Sequence, residues 1–354
     1  MTVYRFKQDI PISNYLFAVA SGNLARARIA EGSYVYSTPK DIDACVAEFQ
    51  PDIQAIIDTA EPMTSVQPGR SPEVISSRRN ENPVFNFYSA IVVSGDRENI
   101  SVVAHELAHT FSENLVTNAS WVHFWLNEGY TFLCYLERPL EKDKWLRFVP
   151  FYFKKFSQSS VDSEGFEETV FEFFAQDAKA TATLDSVDWN SWYHKPGLPP
   201  KPSFKSASYE ECIELAAKWM NTESSSDFTP RAHDVEGWTA GQVITFLDKL
   251  SDASKSIPSK YSKMLGSIYG LARTKNFEIL SRYLRLSMRS KDKDILPDVE
   301  VFLGQTGRMK FVRPLFEEPL ALNQTFAHKT FLKYRNSCHL TCVRLIKGVM
   351  DKNK

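Results

Sequence analysis

The sequence predicts an α+β protein that is predominantly α. Two observations set the class. Period-two apolar patterning is confined to the first ninety or so residues, and spacings of three and four dominate the rest. A third places the chemistry: His105 and His109 stand one helical turn apart. Tyr4, Phe6, Ile10, Ile12, Tyr15, Phe17 and Val19 alternate in part, and Gly22 and Gly32 mark turns, so residues 3–37 read as strands. That is too little sheet to stand alone.

Ser37-Thr38-Pro39-Lys40 looks like a boundary. Beyond it, Ile42, Cys45, Val46, Phe49, Ile53, Ile56 and Ile57 predict one or two helices with a buried stripe. Residues 60–80 are polar and rich in Ser, Pro and Arg, which predicts a loop. Val84 to Tyr88 and Ile91 to Val93 read as strand. Asn99 or Ser101 then caps a helix that buries Val102, Val103, Leu107, Phe111 and Leu115 and ends near Asn118. The run Lys195-Pro196-Gly197-Leu198-Pro199-Pro200-Lys201-Pro202 resists helix and behaves as an extended spacer. From Tyr209 onward apolar residues recur at helical spacing, for example Cys212, Leu215, Ala216 and Trp219, which predicts stacked helix pairs. The expected divisions are residues 1–37, 38–195, a linker at 196–204, and 205–354.

The 354 residues are 43% hydrophobic and 24% charged, with 42 basic and 43 acidic side chains and a formal net charge of −1. That balance gives no electrostatic footprint for nucleic acid or an acidic membrane. No apolar run approaches the roughly 20 residues a membrane helix needs, and the start lacks the apolar core of a signal peptide. The five cysteines, Cys45, Cys134, Cys212, Cys338 and Cys342, are scattered without metal spacing and read as reduced thiols. A cytoplasmic protein is expected.

The segment His105-Glu106-Leu107-Ala108-His109 is an H-E-x-x-H motif. Its histidines share one helix face and can reach one metal, while Glu106 is placed to act as general base on a metal-activated water. Glu128, in Trp125-Leu126-Asn127-Glu128-Gly129, completes the two-histidine, one-glutamate set that catalytic zinc sites use with one position left open. His123, between Trp121 and Trp125, reads as a packed histidine rather than a fourth ligand.

Eighteen residues separate His109 from Glu128. With Asn114 to Asn118, Trp121 to Gly129, Val187 to Trp192 running into Pro196 to Pro200, and Gly307-Arg308-Met309-Lys310-Phe311 with Arg313 to Phe316, the chain resembles the leukotriene A4 hydrolase branch of the gluzincin aminopeptidases. The resemblance implies a thermolysin-like zinc peptidase domain followed by an α-helical superhelical (armadillo-like) domain. It also implies one Zn²⁺ per chain, a monomer, and removal of N-terminal residues from short peptides. Glu81, in Arg79-Asn80-Glu81-Asn82-Pro83, sits where that family's G-x-M-E-N glutamate receives the substrate α-amine. Arg308 and Lys310 match the basic pair that holds the peptide's C-terminal carboxylate.

The chain departs from the family pattern in three places. Only the last strands of the family's N-terminal β domain have counterparts. Arg78, Arg79 and Asn80 replace the glycines and methionine before Glu81, and Val122 replaces an acid. After Glu128, Tyr130 to Glu137 join directly to the pre-linker segment, so the family's oxyanion-binding tyrosine has no matching position. The residues that the family assigns to epoxide opening belong to the same absent stretch, and no leukotriene-forming activity is expected. The rival reading is a relative that keeps zinc and peptide binding without turnover, or a shortened form of the enzyme.

Overall fold

Alternation at residues 25–37 does produce strands. β1 (Ala25–Ala30) and β2 (Ser33–Ser37) are antiparallel, joined through Gly32 at φ +67°, a left-handed turn conformation that glycine adopts without penalty. On β2, Ser33, Val35 and Ser37 are buried while Tyr34 and Tyr36 are not, the period-two signature of a one-sided sheet. The computed structural model describes residues 5, 13–64, 73–76, 80–81, 85–88, 90–197, 206–222, 228–253, 256–338 and 340–352.

β2 runs parallel to β3 (Glu73–Ser76), and β3 runs parallel to β5 (Phe85–Tyr88). β4 (Asn80–Glu81) lies antiparallel on the far side of β5, giving the order β1-β2-β3-β5-β4. The strands at 25–37 therefore continue the same sheet as those at 73–88. One helix, α1 (Ile42–Thr64), lies against β1 and β2. Its Cys45, Phe49, Ile53 and Ile57 are buried with Ile29, Val35, Tyr88, Val92, Val103 and Leu107. Phe49 and Ile53 are fully enclosed, and each contributes about 1.5–3 kcal/mol through burial.

Three expectations need correction. The stretch 60–80 is not all loop: α1 runs to Thr64, and Glu73–Ser76 is a central strand. Ladder bonds from β2 and β5 on its two sides override its polar local composition. Ala90–Val92 is a turn of 3₁₀ helix rather than strand, as is Asn14–Leu16 in the amino-terminal stretch. The strand reading at residues 6–12, the rest of the 60–80 loop, and the linker from 198 to 205 lie outside the described residues.

The motif helix α2 (Ile100–His109) follows Asn99, whose side chain makes no capping bond to it and donates instead to the Val92 carbonyl. Its lead-in is held by Glu48 of α1, whose buried carboxylate accepts the backbone N–H groups of Ser94, Gly95 and Arg97 at 3.2, 2.7 and 3.1 Å. After His109 the backbone widens into a π-helical segment, Thr110–Leu115, then enters β6 (Val116–Asn118), parallel to β7 (Ser159–Val161). The helices α3 (Trp125–Glu128), α4 (Tyr130–Leu140), α5 (Lys142–Lys155), α6 (Ser163–Phe174), α7 (Ala178–Asp185) and α8 (Trp189–Tyr193) follow, with β7 between α5 and α6. They enclose a second core rich in aromatic rings, among them Phe132, Trp145, Phe148, Tyr152, Phe166 and Phe174. Phe132 stacks on Trp192 with centroids 4.5 Å apart, which packs the aromatics before the linker into this core.

The chain divides into two units, residues 1–203 and 204–354. The second is helical throughout its described part: α9 (Ala207–Met220), α10 (Ala240–Asp252), α11 (Ser259–Ile268), α12 (Phe277–Arg289), α13 (Leu296–Gln305), α14 (Met309–Leu322), α15 (Gln324–Tyr334) and α16 (Leu340–Lys352). Its largest enclosed side chains are Trp219, Phe246, Phe302 and Phe316. The class is α+β and predominantly α, as the sequence predicts. No described helix is long and apolar enough to cross a membrane.

Candidate metal centre

Helical spacing puts His105 and His109 on one face of α2, and their Nε2 atoms stand 3.2 Å apart with the rings edge to face. Glu128, the last residue of α3, meets both. Its Oε2 is 3.2 Å from His105 Nε2 and its Oε1 is 3.7 Å from His109 Nε2. One donor atom from each residue falls within 4.8 Å of the others. Among the described residues this is the one such group of His, Cys, Asp or Glu.

Two contacts hold α3 where Glu128 can do this. Asn127 donates to Asn118 Oδ1 at 2.8 Å, tying the helix to β6. The Trp125 indole donates to Ser163 Oγ at 2.8 Å, tying it to α6. Gly129 then lets α4 start at once, because a Cβ there would run into the Trp125 carbonyl oxygen and ring. His123 serves the same scaffold: the Ser163 N–H donates to its Nδ1 at 3.2 Å, with Ser163 Oγ at 2.9 Å.

His109 is almost fully buried and His105 is not. Burial drives the His109 pKa down to about 4, Glu128 pulls it upward, and His105 pushes it down again. At neutral pH His109 is therefore an uncharged imidazole, the form that binds metals. Two donors bonded at about 2.0–2.1 Å to a tetrahedral ion stand roughly 3.4 Å from each other, and the observed separations of 3.2, 3.2 and 3.7 Å match that spacing. Two imidazoles and a carboxylate also form the donor set that zinc accepts. The residues present fit a divalent metal. Glu106, beside the pair, is 4% exposed. Its charge acts with burial to raise the Tyr88 pKa well above its ordinary value. Tyr88 thus stays protonated and donates to the Val103 carbonyl at 3.3 Å.

The remaining predicted residues are placed as follows. Glu81 lies on β4, in register with Asn86 of β5, and β4 runs beside α2; its side chain is outside the described set. Arg308 and Lys310 belong to the helical unit. Arg308 precedes α14, with its guanidinium 5.7 Å from the Phe311 ring centre. Lys310 is bound to Glu278 at 2.6 Å, and Arg282 reaches the same carboxylate at 3.0 Å. Burial would raise the Glu278 pKa, but the two cations hold it below the ordinary value. Tyr135, in the stretch that follows Glu128, packs near Phe132 and Trp192 in the aromatic core. Sequence reasoning missed Glu48, Glu113 and Tyr15. An acid four places after His109 was the one available signal for Glu113, and such pairs are commonplace on helices.

A histidine pair and a glutamate on neighbouring helices, with an acid between the histidines, form the donor set of a zinc-peptidase type of centre. Residues 81–138 match the peptidase family M1 domain, and residues 238–350 match the C-terminal domain of leukotriene A4 hydrolase. A leucine aminopeptidase 2 of Sclerotinia sclerotiorum is 36% identical over 414 aligned positions, covering 96% of this chain and 67% of the relative. A leukotriene A-4 hydrolase homolog of Botryotinia fuckeliana is 35% identical, covering 96% and 63%. Native yeast leukotriene A4 hydrolase superposes with a TM-score of 0.88 at 29% identity, over 98% of this chain and 70% of that one; its complex with bestatin gives 0.84 at 28%. The chain belongs to the leukotriene A4 hydrolase group of the M1 peptidases. It spans about two thirds of the length of these curated relatives. Alignments of more than 400 positions against 354 residues mean that the relatives also carry internal residues this chain lacks.

Proposed function

We propose that His105, His109 and Glu128 hold one Zn²⁺ and that the protein removes N-terminal residues from short unblocked peptides. The observation that carries this is the convergence of two imidazole nitrogens and both oxygens of Glu128 within 3.2–3.7 Å. When bound, the ion supplies Lewis acidity to the scissile carbonyl and acidifies a water. Glu106, one residue along α2 from the first ligand, takes the proton of the attacking water and returns it to the leaving amine. Glu81, on the strand beside α2, receives the substrate's α-ammonium. Arg308 is assigned the peptide's C-terminal carboxylate, and Lys310 joins it by exchanging Glu278 for that carboxylate. Five free cysteines support a reducing, cytoplasmic setting, and we take the monomer as the working unit.

The test is hydrolysis of unblocked tripeptides by protein of measured zinc content, beside Glu106→Gln. Turnover that falls at least a hundredfold in the variant, and that bestatin suppresses, supports the reading. One zinc per chain with equal background rates in both proteins would refute it in favour of a second reading, a zinc- and peptide-binding relative without turnover. That second reading is favoured by the junction at Gly129, where α3 passes straight into α4. The family's stretch that carries the oxyanion-binding tyrosine has no counterpart in the sequence there, and losing one such donor costs about 10²–10³ in rate.

A further inference from the structure

Glu113 has no part in the chemistry above, yet it is among the most deeply buried carboxylates of the described chain, at 1% exposure. A carboxylate is costly to bury unless hydrogen-bonded and paired. Two groups meet it. The Tyr15 hydroxyl donates to Oε1 at 2.8 Å, bridging 98 residues of sequence. Oε2 faces His109 Nδ1 at 3.5 Å, with both side chains almost fully enclosed. Nδ1 is the ring nitrogen that His109 does not turn toward His105 and Glu128. Nδ1 and Glu113 Oε2 are both buried and, among the described residues, neither makes a hydrogen bond, so Glu113 is the acceptor lying opposite Nδ1 at contact distance.

We propose that Glu113 is a positioning residue for the metal centre. Its carboxylate takes the Nδ1–H of His109, which fixes the tautomer that leaves the Nε2 lone pair facing His105 and Glu128. A carboxylate behind a ligating imidazole orients the ring and raises its basicity. Tyr15 holds the carboxylate by its other oxygen. The turn Asn14–Leu16, far from the motif in sequence, thus becomes part of the metal centre's support, anchored there by buried Leu16. The π-helical segment Thr110–Leu115 is what carries Glu113, and such segments concentrate at functional sites.

This inference rests on the metal reading of His105, His109 and Glu128. The experiment measures the zinc dissociation constant of the full metal-free chain by competition with a chelator of known affinity. Wild type, Glu113→Gln and Tyr15→Phe are compared, with thermal unfolding of each metal-free protein as the control for folding. Glu113→Gln is expected to raise the dissociation constant about 10- to 100-fold. Tyr15→Phe should raise it by a smaller factor, about threefold or more. A purely structural Glu113 would lower the unfolding temperature and leave zinc affinity unchanged. A folded Glu113→Gln protein within twofold of wild type overturns the inference while leaving the metal reading intact. Should Glu113→Gln lose its cooperative transition, Tyr15→Phe decides alone: an unchanged constant overturns the proposal. A wild type that binds no zinc removes both readings together.

Discussion

At the residue scale, enclosure gives His109 a second consequence. Its pKa is held near 4 in the folded chain, against about 6.5 when unfolded. Between those values the unfolded chain binds the extra proton, so metal-free protein loses stability as pH falls from about 6.5 toward 4. The full contribution, present above pH 6.5, is about 3 kcal/mol. Urea titrations across that range should show the decline, and His109→Asn should flatten it. An unchanged slope in the variant would mean that other groups govern acid sensitivity.

At the element scale, the junction between α3 and α4 sets the position of Glu128. Gly129→Ala would press a methyl group against the Trp125 carbonyl and ring, destabilising the protein by about 1–3 kcal/mol. It would also loosen zinc by moving the carboxylate. Denaturant midpoints and a zinc titration would check both, and normal values for the two would show that the junction has slack. The histidine pair was legible because four-residue spacing fixes a helix face. Glu128 was legible because eighteen residues and a helical context stand behind it. Strand β3 was not, since a short segment with two apolar residues becomes a strand only when β2 and β5 flank it. The continuous aromatic core was not legible either. Its rings come from five helices between α3 and α8, plus β7-adjacent packing that periodicity cannot see. Tyr15 lay beyond reach for a similar reason: only the folded chain brings it to Glu113.

At the scale of the whole molecule, metal binding is folding energy for the unit that contains it. With free zinc at a hundred times its dissociation constant, stability should rise by about 2.7 kcal/mol. Calorimetry before and after chelation would register this, and an unchanged unfolding profile would argue against a site formed only in the folded chain. The relatives and this chain differ in length by internal segments, which raises the matter of where backbone can be gained or lost. The widened segment Thr110–Leu115 is one such joint. Removing Ser112 would let it tighten toward ordinary α geometry, with His105 and His109 upstream left in place. Asn114, not Glu113, would then stand four residues after His109, one turn along the helix. A single codon could thus exchange an anion for a neutral amide behind His109 without altering any residue of the motif itself.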